Sequence, residues 1–179
     1  TGETLVGANV NLRGEANSPQ ISFTASDGPD ALVGSNQADT LDAGAGQDVL
    51  AGGGGGDTLT GGAGADTFVI RTVAESDGTD PDTITDFDAG ASDAIQFDTQ
   101  LATDSTQVLT GVAFDPGTSP SDFFDDGGTD RAIAFATDGT DGRLFVDADG
   151  DGDYTAGSDI RIELTGVTTA PDAADFLVS

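Results

Sequence analysis

Residues 25–69 read ASDGPDALV (25–33), GSNQADTLD (34–42), AGAGQDVLA (43–51), GGGGGDTLT (52–60) and GGAGADTFV (61–69). Aspartate recurs at every ninth position, as Asp30, Asp39, Asp48, Asp57 and Asp66. Two residues after each stands a large apolar side chain: Leu32, Leu41, Leu50, Leu59 and Phe68. The last two frames fit the pattern G-G-x-G-x-D-x-U-x at every fixed position, where U is large and apolar. The third departs only at Ala43. The first two are degraded: Ala25 replaces the first Gly, Ser26 and Ser35 the second, and Gln37 the third. Imperfect outer frames are expected where a coil starts and must be capped. A flexible Gly/Asp linker has no reason to repeat an apolar residue at this interval.

The six residues G-G-x-G-x-D must turn sharply and present backbone carbonyls, and glycine allows the positive φ this needs. The aspartate ends the turn with a carboxylate, and the next three residues form a short strand with U facing inward. Two nonapeptides make one winding, so the turns alternate between two edges. Asp30, Asp48 and Asp66 fall on one edge, and Asp39 and Asp57 on the other. Between adjacent turns of one edge a hard cation finds about six oxygens. The candidate ligands are these five carboxylates and the backbone around Gly44, Gly46, Gly53, Gly55, Gly62 and Gly64. Five turns leave two gaps on the first edge and one on the second, and Asp82 extends the series. Five inward apolar residues do not offset the ordering of about 45 residues at roughly 1–2 kcal/mol each. Several bound calcium ions are therefore expected to supply a large share of the stability, and the segment is expected to be disordered without them.

Composition points the same way. The 179-residue chain carries 33 acidic and 5 basic groups, a formal charge of -28. Only Glu3, Glu15, Glu75 and Glu163 are glutamate; the rest of the acidic residues are aspartate, which suits turns rather than helix interiors. Two carboxylates ~4 Å apart repel by roughly 4 kcal/mol at an effective dielectric of ~20, so a compact form needs counter-cations. Nucleic acid and anionic membrane are poor partners for such a surface. Cys, His, Met, Trp and Lys are absent, which removes thiolate, zinc-imidazole and haem chemistry. No apolar run is long enough to span a bilayer. Neither a cleavable N-terminal signal nor an initiator Met is visible, as expected of a processed form or a piece of a longer chain.

Three stretches divide the chain. Residues 1–24 form an arm with strand candidates Thr4–Leu12 and Gln20–Thr24 and no evident place in the repeat. Residues 25–98 hold the repeat and a closing segment, where Asp82–Ile84 and Asp93–Ile95 keep the Asp-x-apolar step out of period. Residues 99–179 read as antiparallel β, with strands expected at Gln107–Phe114, Arg131–Thr137, Arg143–Asp147 and Asp159–Thr165 and a last apolar stretch at Phe176–Val178. Pro171–Phe176 is the one candidate for a helical turn. The fold class is thus all-β: a calcium-built coil followed by an antiparallel cap or sandwich-like region.

A second acidic loop lies at Asp147–Tyr154 (DADGDGDY). Asp147, Asp149 and Asp151 occupy the first three carboxylate positions of the EF-hand loop, Gly152 its required glycine and Asp153 a carbonyl position. Ser158 replaces the twelfth-position Glu, and Asp159 follows it. The flanks read as strands, so this is a calcium loop without the EF-hand helices. The clusters Asp122–Asp130 and Asp77–Asp82 are less specific.

GGGGGDTLT (52–60) and GGAGADTFV (61–69) resemble the RTX, or haemolysin-type, calcium-binding nonapeptides. The segments Asp82–Asp98, Leu144–Gly166 and Ala174–Val178 resemble the regions that follow such repeats in secreted RTX proteins. Together the match spans about 120 residues, roughly 25–98 and 131–178, with the repeat the more specific part. The resemblance implies a right-handed parallel β-roll, calcium between the turns, and export by type I secretion machinery through an uncleaved C-terminal signal. It also implies a chain disordered at low cytosolic calcium and folded outside the cell. Family tails often end in an acidic residue followed by apolar ones, whereas here Ser179 comes last.

Catalysis by this chain is not expected: there is no His or Cys, and nothing singles out two of 33 acidic residues as a working pair. Two roles remain. One is an extracellular, self-associating structural protein of a surface layer, filament or adhesin, whose arm pairs with a neighbouring subunit. The other is the C-terminal calcium-binding export module of a larger secreted enzyme or toxin. A polysaccharide-binding module fits less well, because five arginines in so acidic a chain offer little to a polyanion.

Overall fold

The computed structural model describes residues 9–11, 20–88, 92–98, 108–109, 133–151 and 154–178. Strands are short because glycine turns interrupt them at each frame. Before the repeat come β1 (Asn9–Asn11) and β2 (Ser22–Thr24). In the repeat, each frame starts a strand directly after its aspartate: β3 (Ala31–Val33), β4 (Thr40–Asp42), β6 (Val49–Ala51), β7 (Thr58–Thr60) and β9 (Thr67–Ile70). The two-residue strands β5 (Ala45–Gly46) and β8 (Ala63–Gly64) lie within turns and pair with each other. Beyond the repeat follow β10 (Asp82–Ile84), β11 (Ala94–Phe97), β12 (Val108–Leu109), β13 (Ile133–Thr137), β14 (Gly142–Val146), β15 (Ile160–Leu164) and β16 (Phe176–Val178). A 3₁₀ turn, Ala173–Asp175, sits in the expected helical stretch, capped by Asp172, whose side chain accepts from Ala174 N.

Two large sheets result. The first runs β1-β3-β6-β9-β11-β16 and the second β12-β13-β14-β15-β10-β7-β4-β2. Alternate frames feed alternate sheets, as a two-nonapeptide winding requires. The apolar U residues stack in register along each sheet and are buried. In the first sheet Leu32 faces Leu50, Leu50 faces Phe68, Phe68 faces Ile95 and Ile95 faces Phe176. In the second the row is Phe23, Leu41, Leu59, Ile84 and Leu164.

These rows change the expectation in two ways. The arm does have a place in the coil: β1 pairs in parallel with β3, and β2 with β4. The core is also thicker than five residues. Ile133, Phe135, Leu144, Val146, Ile160, Ile162, Leu164 and Phe176 join the coil residues in one buried cluster. The expected antiparallel region is present as β13-β14-β15, but it extends the second sheet rather than forming a separate layer. The reason is the alternation of β15. Ile160, Ile162 and Leu164 point inward and Arg161 and Glu163 do not, so the strand fits in parallel beside β10, with Leu164 against Ile84. The 70–98 segment likewise adds strands to both sheets rather than closing them. The expected strand residues 4–8, 12, 107, 110–114 and 131–132, and the Asp122–Asp130 cluster, lie outside the described residues.

Candidate metal centres along the two edges

Each turn aspartate is placed by a bond to the next winding. Asp30 N donates to Asp48 Oδ1 at 2.7 Å, and Asp48 N to Asp66 Oδ1 at 2.9 Å. On the other edge Ile21 N donates to Asp39 Oδ1 at 2.8 Å, and Asp39 N to Asp57 Oδ1 at 2.7 Å. Both rows continue past the repeat: Asp57 N reaches Asp82 Oδ1 at 2.9 Å, and Asp66 N reaches Asp93 Oδ1 at 3.0 Å. The structure thus brings Asp30, Asp48 and Asp66 onto one edge and Asp39, Asp57 and Asp82 onto the other. Asp93 completes the first row; the Asp-x-apolar step at 93–95 is its signal in the sequence.

All of these carboxyl groups are buried. One oxygen of Asp39, Asp48, Asp57, Asp66, Asp82 and Asp93 takes the backbone bond. The second oxygens of Asp48, Asp57, Asp66 and Asp82 are buried without a hydrogen-bond partner. Burying such an oxygen without compensation costs about 1–3 kcal/mol, more for a charged group. Burial is the main cause that raises the pKa of Asp48, Asp66, Asp82 and Asp93, and it pushes Asp57 up to about 7. Neighbouring carboxylates raise these groups further: row members for Asp48, Asp57, Asp66 and Asp82, and Asp86 and Asp88 for Asp93. Asp39 differs: its Oδ2 accepts from both Ser35 N (2.7 Å) and Ser35 Oγ (2.9 Å), so the serine of the degraded frame serves this oxygen from within the turn.

The glycines let the windings stack. At Gly62 φ is +97°, and a Cβ there would lie 1.7 Å from the Gly44 carbonyl oxygen. At Gly53 φ is +104°, and a Cβ would lie 1.9 Å from Ser35 O. Carbonyls of one turn therefore face the backbone of the next. Gly46 O stands in the same way against Gly64, and Gly55 packs against Ala38 N. Oxygen-only donors, carboxylates with orphaned buried oxygens and close-stacked carbonyls suit a hard divalent cation.

The second acidic loop joins β14 to β15, between strands as its flanks require. Asp147, Asp149 and Asp151 bring one carboxylate oxygen each to within 4.8 Å of one another. Asp147 is buried and accepts from Gly150 N at 2.6 Å. Asp159 staples the loop from its far end: Oδ1 accepts from Ala148 N (2.8 Å) and Oδ2 from Thr155 N (2.7 Å). Burial is the main cause raising the Asp159 pKa. Asp153 lies outside the described residues. Among the described residues no helix is long and apolar enough to cross a membrane.

Short parallel strands in two sheets, with turn aspartates stacked along both edges, define a β-roll of the RTX type. Comparison by sequence carries this further. The chain belongs to the family described as peptidase M10 serralysin C terminal, whose model matches residues 26–178. Two solved structures from the Azotobacter vinelandii mannuronan C5-epimerase are similar. Its AlgE6R3 subunit is 24% identical with a TM-score of 0.53, over 93% of this chain and 78% of that one. Its AlgE6R2 subunit is 26% identical with a TM-score of 0.50, over 91% and 94%. None of the curated proteins matches the chain.

Proposed function

We propose that this chain is a non-catalytic calcium-binding module of a secreted protein, whose folding is completed by the ion outside the cell. The observation that carries this is the set of buried, unpartnered second oxygens on Asp48, Asp57, Asp66 and Asp82. Calcium, when bound, neutralises stacked carboxylates and takes oxygens as ligands. Asp30, Asp39, Asp48, Asp57, Asp66 and Asp82 are its carboxylate ligands in this reading, with carbonyls around Gly44, Gly46, Gly53, Gly55, Gly62 and Gly64. Asp147, Asp149, Asp151, Asp153 and Asp159 form a separate, weaker site. Cytosolic calcium is too scarce to fill such sites, so the chain passes unfolded through type I secretion machinery and orders outside. Circular dichroism in millimolar calcium and in excess chelator tests the reading: the β signal is expected only with calcium, and equal signals would overturn it.

The family description and the epimerase subunits favour a module of a larger secreted enzyme or toxin. A self-associating structural role keeps one observation of its own. Edge strand β16 carries Leu177, exposed at 43%, and strands β1 and β2 end the two sheets at the opposite side. Such edges can pair with a second copy. Sedimentation of the chain with and without calcium separates the two roles, since a module that only accompanies another domain stays monomeric.

A further inference from the structure

The second acidic loop meets the closing end of the roll through one side chain. Tyr154 is the sole tyrosine of a chain without tryptophan and stands three residues past Asp151. Its ring lies edge-on to Phe145 of β14, with centroids 5.0 Å apart and planes at 79°. Its hydroxyl is buried and has no hydrogen-bond partner. The ring ends against Gly78, in the 71–81 turn that lengthens the step from Asp57 to Asp82 to 25 residues, against 18 inside the repeat. A Cβ on Gly78 would lie 2.0 Å from Tyr154 Oη and 2.9 Å from Ala156 Cβ, so the tyrosine fits only because position 78 has no side chain. The same turn is tied to β15: Asp77 bridges Ile160, and Arg161 N donates to Ser76 O at 3.1 Å. Ser76 Oγ accepts from Asp82 N, so this turn also sets the last carboxylate of the second row.

A hydroxyl that gives up water and gains no bond does not hold itself in place, so the loop backbone must hold the ring there. That backbone is shaped by carboxylates. Asp147, Asp149 and Asp151 bring oxygens to within 4.8 Å of one another, where like charges repel. Asp159 fixes Ala148 N and Thr155 N at the two ends of the loop. We propose that Tyr154 is a latch that couples calcium in the acidic loop to the closing turn of the roll. This role rests on the calcium reading of the loop given above. With the ion, the loop closes and seats the ring on Gly78, which steadies Ser76 and Asp82. Without it, repulsion opens the loop and the ring leaves its seat. Such coupling is reciprocal. An obstruction at Gly78 must therefore weaken calcium in the loop, although Gly78 is no part of the loop and offers it no side chain.

The test is a calcium titration of the full chain, read by Tyr154 emission, which no tryptophan masks, and by circular dichroism. In wild type the emission is expected to change as the loop fills. Asp149→Asn, at an exposed loop position, is expected to move that midpoint to higher calcium. An emission indifferent to calcium while circular dichroism responds overturns the loop as a calcium site, and the latch with it. Gly78→Ala is expected to move the emission midpoint in the same direction as Asp149→Asn, by roughly fivefold or more. Adding Tyr154→Phe to Gly78→Ala removes the obstructed oxygen, so the double variant is expected to recover most of the loss in its circular-dichroism midpoint. This rescue decides the matter even if Gly78→Ala alone does not fold. A Gly78→Ala emission midpoint equal to that of wild type, or a double variant as impaired as Gly78→Ala, overturns the latch and leaves the loop a calcium site.

Discussion

Replacing Gly62 by alanine puts a methyl group where the neighbouring winding already stands. The added Cβ would lie 1.7 Å from the Gly44 carbonyl oxygen, at a backbone φ of +97°. That carbonyl also accepts from Ala63 N at 2.8 Å, and Gly62 N donates to Asp86 Oδ2 at 2.7 Å. Left-handed backbone alone costs an alanine about 1–2 kcal/mol. An ordinary C···O separation of about 3.3 Å requires the windings to part by roughly 1.5 Å. That displacement breaks both hydrogen bonds, at about 1 kcal/mol each. The expected loss is therefore about 3–4 kcal/mol. Gly157 provides the reference, because it has nearly the same φ, +95°, with nothing within 4 Å of an added Cβ. Gly157→Ala should lose only the backbone cost. Urea unfolding of both variants at saturating calcium reads the difference of about 2 kcal/mol that belongs to stacking. Equal losses in the two variants would refute the claim that turn glycines are required by contact between windings.

Asp57→Asn removes a buried charge and keeps an acceptor for Asp39 N, so it should need more calcium than wild type to fold while being no less ordered in chelator at neutral pH; a variant whose circular dichroism shows folding at the wild-type calcium concentration contradicts this. Metal-free wild type should gain order on acidification. The folded-state pKa of Asp57 is raised, mainly by burial, from 3.8 to about 7, so the stabilisation from its proton is complete below pH 3.8 and is lost as pH rises through about 7. Circular dichroism in chelator between pH 7 and pH 4 reads this, and a signal that falls on acidification would be the wrong sign. Leu164→Ala should cost about 2–5 kcal/mol and destabilise coil and C-terminal strands together, because Leu164 stands against Ile84 in one shared core. Two separate unfolding transitions would show that the core is not shared.

The repeat was the legible part. Spacing alone assigns Asp30, Asp48 and Asp66 to one edge and Asp39 and Asp57 to the other, because both the period and the backbone bonds are local consequences of an 18-residue winding. Beyond Phe68 the period fails, and with it the register. Asp82 and Asp93 sit 25 and 27 residues from their partners, and what fixes them is the apolar row through Ile84 and Ile95, a non-local match that spacing cannot reveal. β2 differs: Phe23 stands 18 residues before Leu41, in step with the period, but its frame carries neither the glycines nor the aspartate that mark the repeat. The place of Asp80 was hidden for a related reason: it belongs to no repeat position, and only the extra length of the 71–81 turn carries it onto Gly56.

The direction of the aspartate bonds makes the number of frames a matter of parity. Each aspartate N–H is met by a carboxylate two frames later, until Asp82, whose own N–H goes to Ser76 Oγ at 2.9 Å. Ser76 Oγ in turn donates to Arg161 O at 2.6 Å, tying off the row against the C-terminal strands. Removing one frame would transfer every later aspartate to the opposite edge and leave this tie facing the wrong row. Removing two, such as residues 43–60, would shorten the roll and keep both rows intact. Such a module can lengthen or contract only in even steps, and the calcium-dependent circular dichroism of the two deletions would report that rule directly.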